Sequence, residues 1–193
     1  TPDVSADGTR ISATILTDDG LYATQGVWTL GSGWQECMPP TPPDGGLLDN
    51  AYGSAWGISD DGTALCGLYW RPDDNETGLA HGSRWSAAEG VVDLGSPGGS
   101  GRANDISDGG FVAVGWNEAP DGLWQSSVWR GGELTILSEP TYFCEASIVN
   151  PDGTIIGGQV PNHNGTLPVA ALWRWNGGTW VPEVLGALPN TFR

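Results

Sequence analysis

Short apolar runs separated by glycine-rich turns recur along the whole chain. The clearest turn begins with Ser or Asn and ends with Gly at its fourth position, and it occurs four times. Its glycines are spaced by 43 to 54 residues and are Gly8, Gly62, Gly110 and Gly153. This composition is typical of a type I turn whose last residue takes a positive φ. Each turn therefore predicts a β-hairpin.

A short strand precedes each turn, and a longer strand rich in β-branched and aromatic residues follows it. The predicted strands before the turns are Pro2–Val4, Trp56–Ile58, Asn104–Ile106 and Ser147–Val149. Those after the turns are Thr9–Leu16, Thr63–Trp70, Phe111–Trp116 and Thr154–Val160. A third strand, about twenty residues beyond each turn glycine, contains Trp28, Trp85, Trp129 or Trp173. Another glycine turn and a fourth strand, such as Val91–Leu94, complete each unit.

Four antiparallel strands in a period of this length match one blade of a β-propeller. The sequence therefore predicts one all-β domain of four such units, with approximate bounds 1–50, 51–102, 103–145 and 146–193. A β-helix would need shorter coils, and a sandwich would not need turns that recur at a fixed phase. No spare strand remains to complete the first blade from the last. Either four blades close by packing alone, or the units belong to a longer propeller or to an assembly of copies.

The repeated tryptophans are expected to lie buried between neighbouring sheets, because each blade packs its faces against two neighbours. Tryptophans outside the repeated position are expected to be more exposed. They include Trp34, Trp56, Trp124, Trp175 and Trp180.

The net charge of the chain restricts the classes of molecule that it is expected to bind. The chain has 23 acidic residues against seven arginines and no lysine, and its net charge is −16. Such a surface repels nucleic acid and anionic membranes, and it favours cationic partners or divalent ions. Solubility alone also accounts for an acidic surface on a protein with 11 tryptophans. No apolar run is long enough for a transmembrane helix.

Three cysteines occur, and they show no metal-binding spacing. Cys66 lies in an apolar strand and is interpreted as a buried thiol. Cys37 and Cys144 lie near strand ends and would pair if the fold brought them together.

The second unit holds the best-formed copy of the repeat, in Ala55–Gly62, Cys66–Gly67, His81–Trp85 and Asp93–Gly95. These segments resemble the HAF family of bacterial extracellular repeats. The family's His-Ala-Phe tripeptide is replaced by His81-Gly82-Ser83, and it is absent before Val128-Trp129, where Gln125–Ser127 stands. The resemblance implies a propeller fold and an extracellular or cell-surface location. It implies no catalytic residues, because the family is defined by structural positions.

The sequence holds no convergent catalytic set. Its two histidines, His81 and His163, lie in different units, and they are interpreted as packing or surface residues. Two sequons begin at Asn75 and Asn164, in the same loop of units two and four, and they are glycosylation candidates. No cofactor is expected, although calcium stays open.

Three functions therefore remain. The first is a non-enzymatic extracellular scaffold or interaction protein that self-associates or binds other extracellular proteins or glycans. The second is a carbohydrate-binding module, since tryptophans near Asp and Asn suit sugars. The third is a propeller-type polysaccharide lyase or hydrolase.

One face is predicted to carry the binding function. In a meandering blade, the connection between the second and third strands points to the same end as the linker to the next blade. These second connections hold seven carboxylates, which would share one rim and attract a divalent cation or a basic partner. They are Asp18, Asp19, Asp73, Asp74, Glu76, Glu118 and Asp121.

Overall fold

The computed structural model describes residues 2–37, 53–71, 78–165 and 167–186. Within these ranges, 16 strands form four antiparallel sheets of four strands, and each sheet is a meander of consecutive strands. The predicted all-β, propeller-like architecture is therefore confirmed. We call the sheets blades 1 to 4. No helix in the described ranges is long and apolar enough to span a membrane.

Each blade begins at the innermost strand. Blade 1 contains β1 (Asp3–Val4), β2 (Arg10–Leu16), β3 (Ala23–Thr29) and β4 (Gly33–Cys37). Blade 2 contains β5 (Gly53–Ile58), β6 (Ala64–Arg71), β7 (Leu79–Ser86) and β8 (Gly90–Asp93). Blade 3 contains β9 (Gly101–Ile106), β10 (Val112–Glu118), β11 (Trp124–Arg130) and β12 (Glu133–Ile136). Blade 4 contains β13 (Ala146–Val149), β14 (Ile155–Pro161), β15 (Pro168–Trp175) and β16 (Trp180–Val184).

The repeated turn has the predicted geometry. Its glycine takes a φ of 67° to 73° in all four blades, where a side chain would be strained. In blade 1 the Asp7 carboxylate accepts hydrogen bonds from the Thr9 N–H and from the Ser5 hydroxyl. These bonds lower the pKa of Asp7. Blade 3 has Gly109 at the Asp position, and there the first connection forms one turn of 3-10 helix over Asp108–Gly110.

The repeated tryptophans are the main contacts between blades. Each pairs with the third residue after its turn glycine, so all four occupy the same place in their sheets. Trp85, Trp129 and Trp173 are 5%, 1% and 1% exposed, as the repeat predicts. Each packs into an apolar core shared with the preceding blade. The ring of Trp129 lies over Gly82 of blade 2, 3.3 Å from where a Cβ would stand.

Aspartates on the inner strands join the blades near the axis. Asp3 accepts a hydrogen bond from the Ile58 N–H of blade 2 at 3.0 Å, and Asp105 accepts one from the Val149 N–H of blade 4 at 2.7 Å. The equivalent residue of blade 2 is Gly57. A Cβ there would stand 2.8 Å from the backbone oxygen of Asn104, so the close approach of blade 3 requires glycine.

The blades pack only in sequence. Strands of blade 1 contact blade 2, those of blade 2 contact blade 3, and those of blade 3 contact blade 4. Among the described residues, no strand of blade 4 packs extensively against blade 1. In the described ranges the array is therefore a fan, in which one face of blade 1 and one face of blade 4 are not covered extensively by another blade.

The fold does not bring Cys37 and Cys144 together, so the condition for their pairing is not met. All three cysteines are free and buried, as predicted for Cys66 alone. Cys37 ends β4 in blade 1 and Cys144 precedes β13 in blade 4, and these blades are not neighbours. Burial raises the pKa of the Cys37 thiol to about 12.

Replacing Trp129 with Ala is expected to lower the free energy of unfolding by roughly 3 to 5 kcal/mol, because it empties the core between blades 2 and 3. Trp34→Ala is the matched control, since Trp34 is 51% exposed. Urea denaturation of both variants measures the difference. Equal losses would contradict the packing role of the repeated tryptophan.

Replacing Asp105 with Asn is expected to stabilise the protein above pH 6. Burial, with the charges of Asp3 and Asp60, raises the pKa of Asp105 from 3.8 to about 6. The folded state thus holds this proton more tightly than the unfolded chain, and the ionised carboxylate costs stability as pH rises from about 4 to 6. Asn keeps an acceptor for the Val149 N–H. Denaturation between pH 4 and 8 measures the difference in free energy of unfolding between the variant and the wild type. This difference should grow up to pH 6 and then stay constant. A difference that does not depend on pH would contradict the raised pKa of Asp105.

Candidate functional site

At one end of the fan, the second connection of blade 3 lies beside the two described linkers, because backbone hydrogen bonds join Glu118 to Ser100 and Trp124 to Thr141. Asp18 and Asp19 lie in the connection between β2 and β3, Glu118 ends β10, and Asp121 lies in the connection between β10 and β11. The remaining residues of the predicted rim lie outside the described residues, as does the sequon residue Asn75. They are Asp73, Asp74 and Glu76. Asn164 is exposed in the second connection of blade 4.

Three of the described rim carboxylates accept hydrogen bonds, two of them within their own loops and Glu118 from the linker before blade 3. Asp19 accepts hydrogen bonds from the Thr17 hydroxyl and the Leu21 N–H, and these lower its pKa. Asp121 accepts one from the Leu123 N–H at 3.1 Å. Glu118 accepts one from the Ser100 N–H at 2.8 Å. The described part of the chain holds no group of three or more potential metal ligands. A cation or a basic partner at this rim stays a prediction.

Blade 1 has one face turned away from blade 2, which we call the leading face. Cross-strand pairing places Val4 beside Ile11, Ile11 beside Trp28, and Trp28 beside Trp34 on this side of the sheet. Val4 and Trp34 are 53% and 51% exposed, and Trp28 is half-buried. Val27, on the other side of β3, belongs to the core with blade 2. The leading face therefore carries the repeated tryptophan of blade 1, and no other described blade packs extensively against it.

Blade 4 has the opposite open face, which we call the trailing face. It is the side of the sheet away from Trp173, which packs against blade 3. Ile148 pairs with Gly157 on this side and is 63% exposed, and Val181 is 47% exposed. Ala170 is also exposed there, three residues before the repeated tryptophan. The same position in blade 2 is Gly82, which receives the ring of Trp129.

The structure adds an aromatic cluster around an arginine that sequence reasoning did not find. The guanidinium of Arg102 lies 3.6 Å from the centre of the Trp56 ring and 5.6 Å from that of Trp116. It also forms an ion pair with Glu145 at 3.1 Å. Trp116 stacks on Trp124, with ring centres 4.1 Å apart. The cluster joins blades 2, 3 and 4, and it explains why Trp56 and Trp124 are only half-exposed.

A groove opens between the outer strands of blades 3 and 4, and we call it the interblade groove. Its volume is about 520 Å³. Leu137 and Trp173 are at its base, and blade 3 contributes Arg130 and Glu133. Trp175 and Trp180 lie on the blade 4 side, with ring centres 5.2 Å apart and planes tilted by 55°. These two tryptophans are half-exposed, less than the sequence suggested.

His81 belongs to a polar seam between blades 1 and 2. Its Nδ1 lies 3.1 Å from both carboxylate oxygens of Asp93. Burial opposes ionisation of Asp93, but hydrogen bonds from His81 and Tyr69 outweigh it and hold the pKa of that carboxyl well below its usual range. In the same seam the Gln25 amide donates to the Ser83 hydroxyl at 2.6 Å. His163 is exposed in the second connection of blade 4.

No protein-family model and no curated protein matches this chain. The fold, in contrast, is similar to solved β-propellers. TolB from Acinetobacter baumannii aligns with 97% of this chain and 44% of its own length, at 14% identity and a TM-score of 0.53. A putative TolB from Agrobacterium tumefaciens aligns with 94% of this chain and 63% of its own, at 15% identity and a TM-score of 0.54.

The β-propeller domain of the Trilobed protease from Pyrococcus furiosus is also similar. It aligns with 94% of this chain and 55% of its own length, at 11% identity and a TM-score of 0.52. This chain thus spans less than two thirds of the length of each of these three proteins. At such low identity, the similarity establishes the β-propeller fold and nothing finer.

Proposed function

We propose that this protein is a non-enzymatic scaffold or interaction propeller, extracellular or at the cell surface, whose copies associate through the leading and trailing faces. The observation that carries the proposal is the environment of the repeated tryptophan. Trp85, Trp129 and Trp173 each pack on a preceding blade, whereas Trp28 occupies the same place in its sheet on the leading face, against which no other described blade packs extensively.

The repeat itself indicates what covers the leading face. Three internal interfaces join a face that carries the tryptophan to the opposite face of the blade before it. The trailing face of blade 4 is the fourth surface of this receiving kind, with the small residue Ala170 at the position of Gly82. The trailing face of a second copy would offer Trp28 a surface of this kind.

Burial of apolar side chains can supply the free energy of association between the leading and trailing faces. An indole side chain buries about 150 to 250 Å² when it packs fully. Exposed Trp34 and Val181 would also lose contact with water, at about 25 cal/mol for each Å² of apolar surface. The trailing face carries the surface ion pair of Arg174 with Glu183, at 3.7 Å, which contributes little in water. Apolar burial thus drives the association.

The proposed location and the non-enzymatic role are supported by other observations. The extracellular or cell-surface location rests on the resemblance to HAF repeats. A non-enzymatic role is supported by the setting of His81, whose ring is bound to Asp93 in a seam between blades rather than in an open cleft. Acidic charge of −16 per chain keeps separate copies apart at low salt, and salt screens this repulsion.

Replacing Trp28 with Glu is expected to abolish association, because it places a charge where an indole should be buried. Light scattering after size exclusion, at several concentrations and at low and high salt, measures the mass. The wild-type chain should form dimers or longer assemblies that strengthen with salt. Ala170→Arg should abolish association from the other side, by filling the receiving position.

Leu16→Glu is the matched control, because it adds the same charge to blade 1. Leu16 is 67% exposed and lies at the end of β2 on the side away from the leading face. This variant should associate as the wild type does, and circular dichroism should show all three variants folded. A wild-type chain that is monomeric at every concentration and salt, or a Trp28→Glu variant that still associates, would overturn the proposal.

A further inference from the structure

We infer that the interblade groove binds a neutral glycan chain. The groove is built by residues that depart from the repeat. Trp175 lies two residues after the repeated tryptophan of blade 4, where the other blades have Leu30, Ala87 and Gly131. A scaffold alone does not need an aromatic residue at this position, since three blades pack without one.

The two tryptophans offer ring faces at the surface. Trp175 pairs with Trp180 across β15 and β16, and both side chains lie on the side of blade 4 that faces blade 3. Their ring planes are tilted by 55° to each other, and both residues line the groove. Flat apolar surfaces of this kind suit the C–H faces of sugar rings, while polar groups around them orient the hydroxyls.

The polar groups of the groove suit hydroxyls as well. The Arg130 guanidinium lies 4.5 Å from the centre of the Trp175 ring and 5.0 Å from that of Phe111. One of its N–H groups donates to the backbone oxygen of Gly153 at 3.0 Å, which fixes its orientation. Glu133 pairs with Arg130 across β11 and β12 and is exposed. A fixed donor beside an exposed acceptor is the combination that a vicinal diol can bind.

The size and the charge of the site define the ligand further. A volume of about 520 Å³ lies within the usual range of ligand pockets, about 300 to 1,000 Å³. The groove is open along the outer edges of two blades, which suits a chain better than an enclosed small molecule. The net charge of −16 repels polyanionic glycans, and the carboxylate of Glu133 adds to this locally. A neutral glycan is therefore the favoured class.

The groove is separate from the surfaces proposed for association. Trp175 and Trp180 lie on the side of blade 4 toward blade 3, whereas the trailing face is the other side of the same sheet. Loss of glycan binding and loss of association can thus be measured independently, and failure of one leaves the other standing.

Binding is tested with an array of neutral oligosaccharides, followed by titration calorimetry with the best ligand and by tryptophan fluorescence. We expect Trp180→Ala to weaken the affinity at least tenfold, because it removes a stacking surface. Glu133→Gln should weaken it several-fold without affecting the fold, since Glu133 is exposed on β12. Trp70→Ala is the matched control, because Trp70 is 46% exposed and lies on blade 2, away from the groove.

The control variant should bind as the wild type does. Absence of binding to every neutral oligosaccharide at millimolar concentration would overturn the inference, and so would unchanged affinity in both groove variants. Stronger binding of sulfated or uronic acid oligosaccharides would overturn the assignment to neutral glycans. Cleavage of a bound oligosaccharide would support the groove as a glycan site and would contradict the non-enzymatic proposal.

Discussion

The packing of one indole ring on the sheet before it is the interaction on which the rest of this structure depends. The blades share no strand with one another, so contacts between faces and a few hydrogen bonds must hold four separate sheets in place. Trp85, Trp129 and Trp173 supply the largest side chain in each of the three shared cores. The close approach that they permit also explains Gly57, where a Cβ would strike the neighbouring blade, and the small residue Gly82, over which the ring of Trp129 lies.

The sequence predicts those features that each unit contains by itself. Turn glycines, strand order and the place of the repeated tryptophan follow from local patterns that occur four times. It does not predict contacts between units, because nothing local distinguishes which residues will meet. Arg102 meets Trp56 and Trp116 only after blades 2 and 3 pack, and Cys37 never meets Cys144 because their blades are not adjacent.

Departures from the repeat are therefore more informative about function than the repeat itself. The residues that every blade shares explain why the sheets stack. Trp175 has no aromatic counterpart in the other blades, yet the fold holds it with Arg130 and Trp180 at one groove. The acidic second connections differ in this respect, since Asp19 and Asp121 have structural work within their own loops. Charge on a loop is thus weaker evidence for a site than an aromatic group held against a fixed guanidinium.

Every interface in the fan has two unlike sides, because one side contributes the indole and the other side receives it. Two leading faces brought together would oppose Trp28 to another Trp28 and leave no receiving surface for either ring. The fan thus disfavours back-to-back pairing and has a fixed direction from blade 1 to blade 4. Any array that repeats this contact keeps that direction throughout, whether its blades belong to one chain or to several.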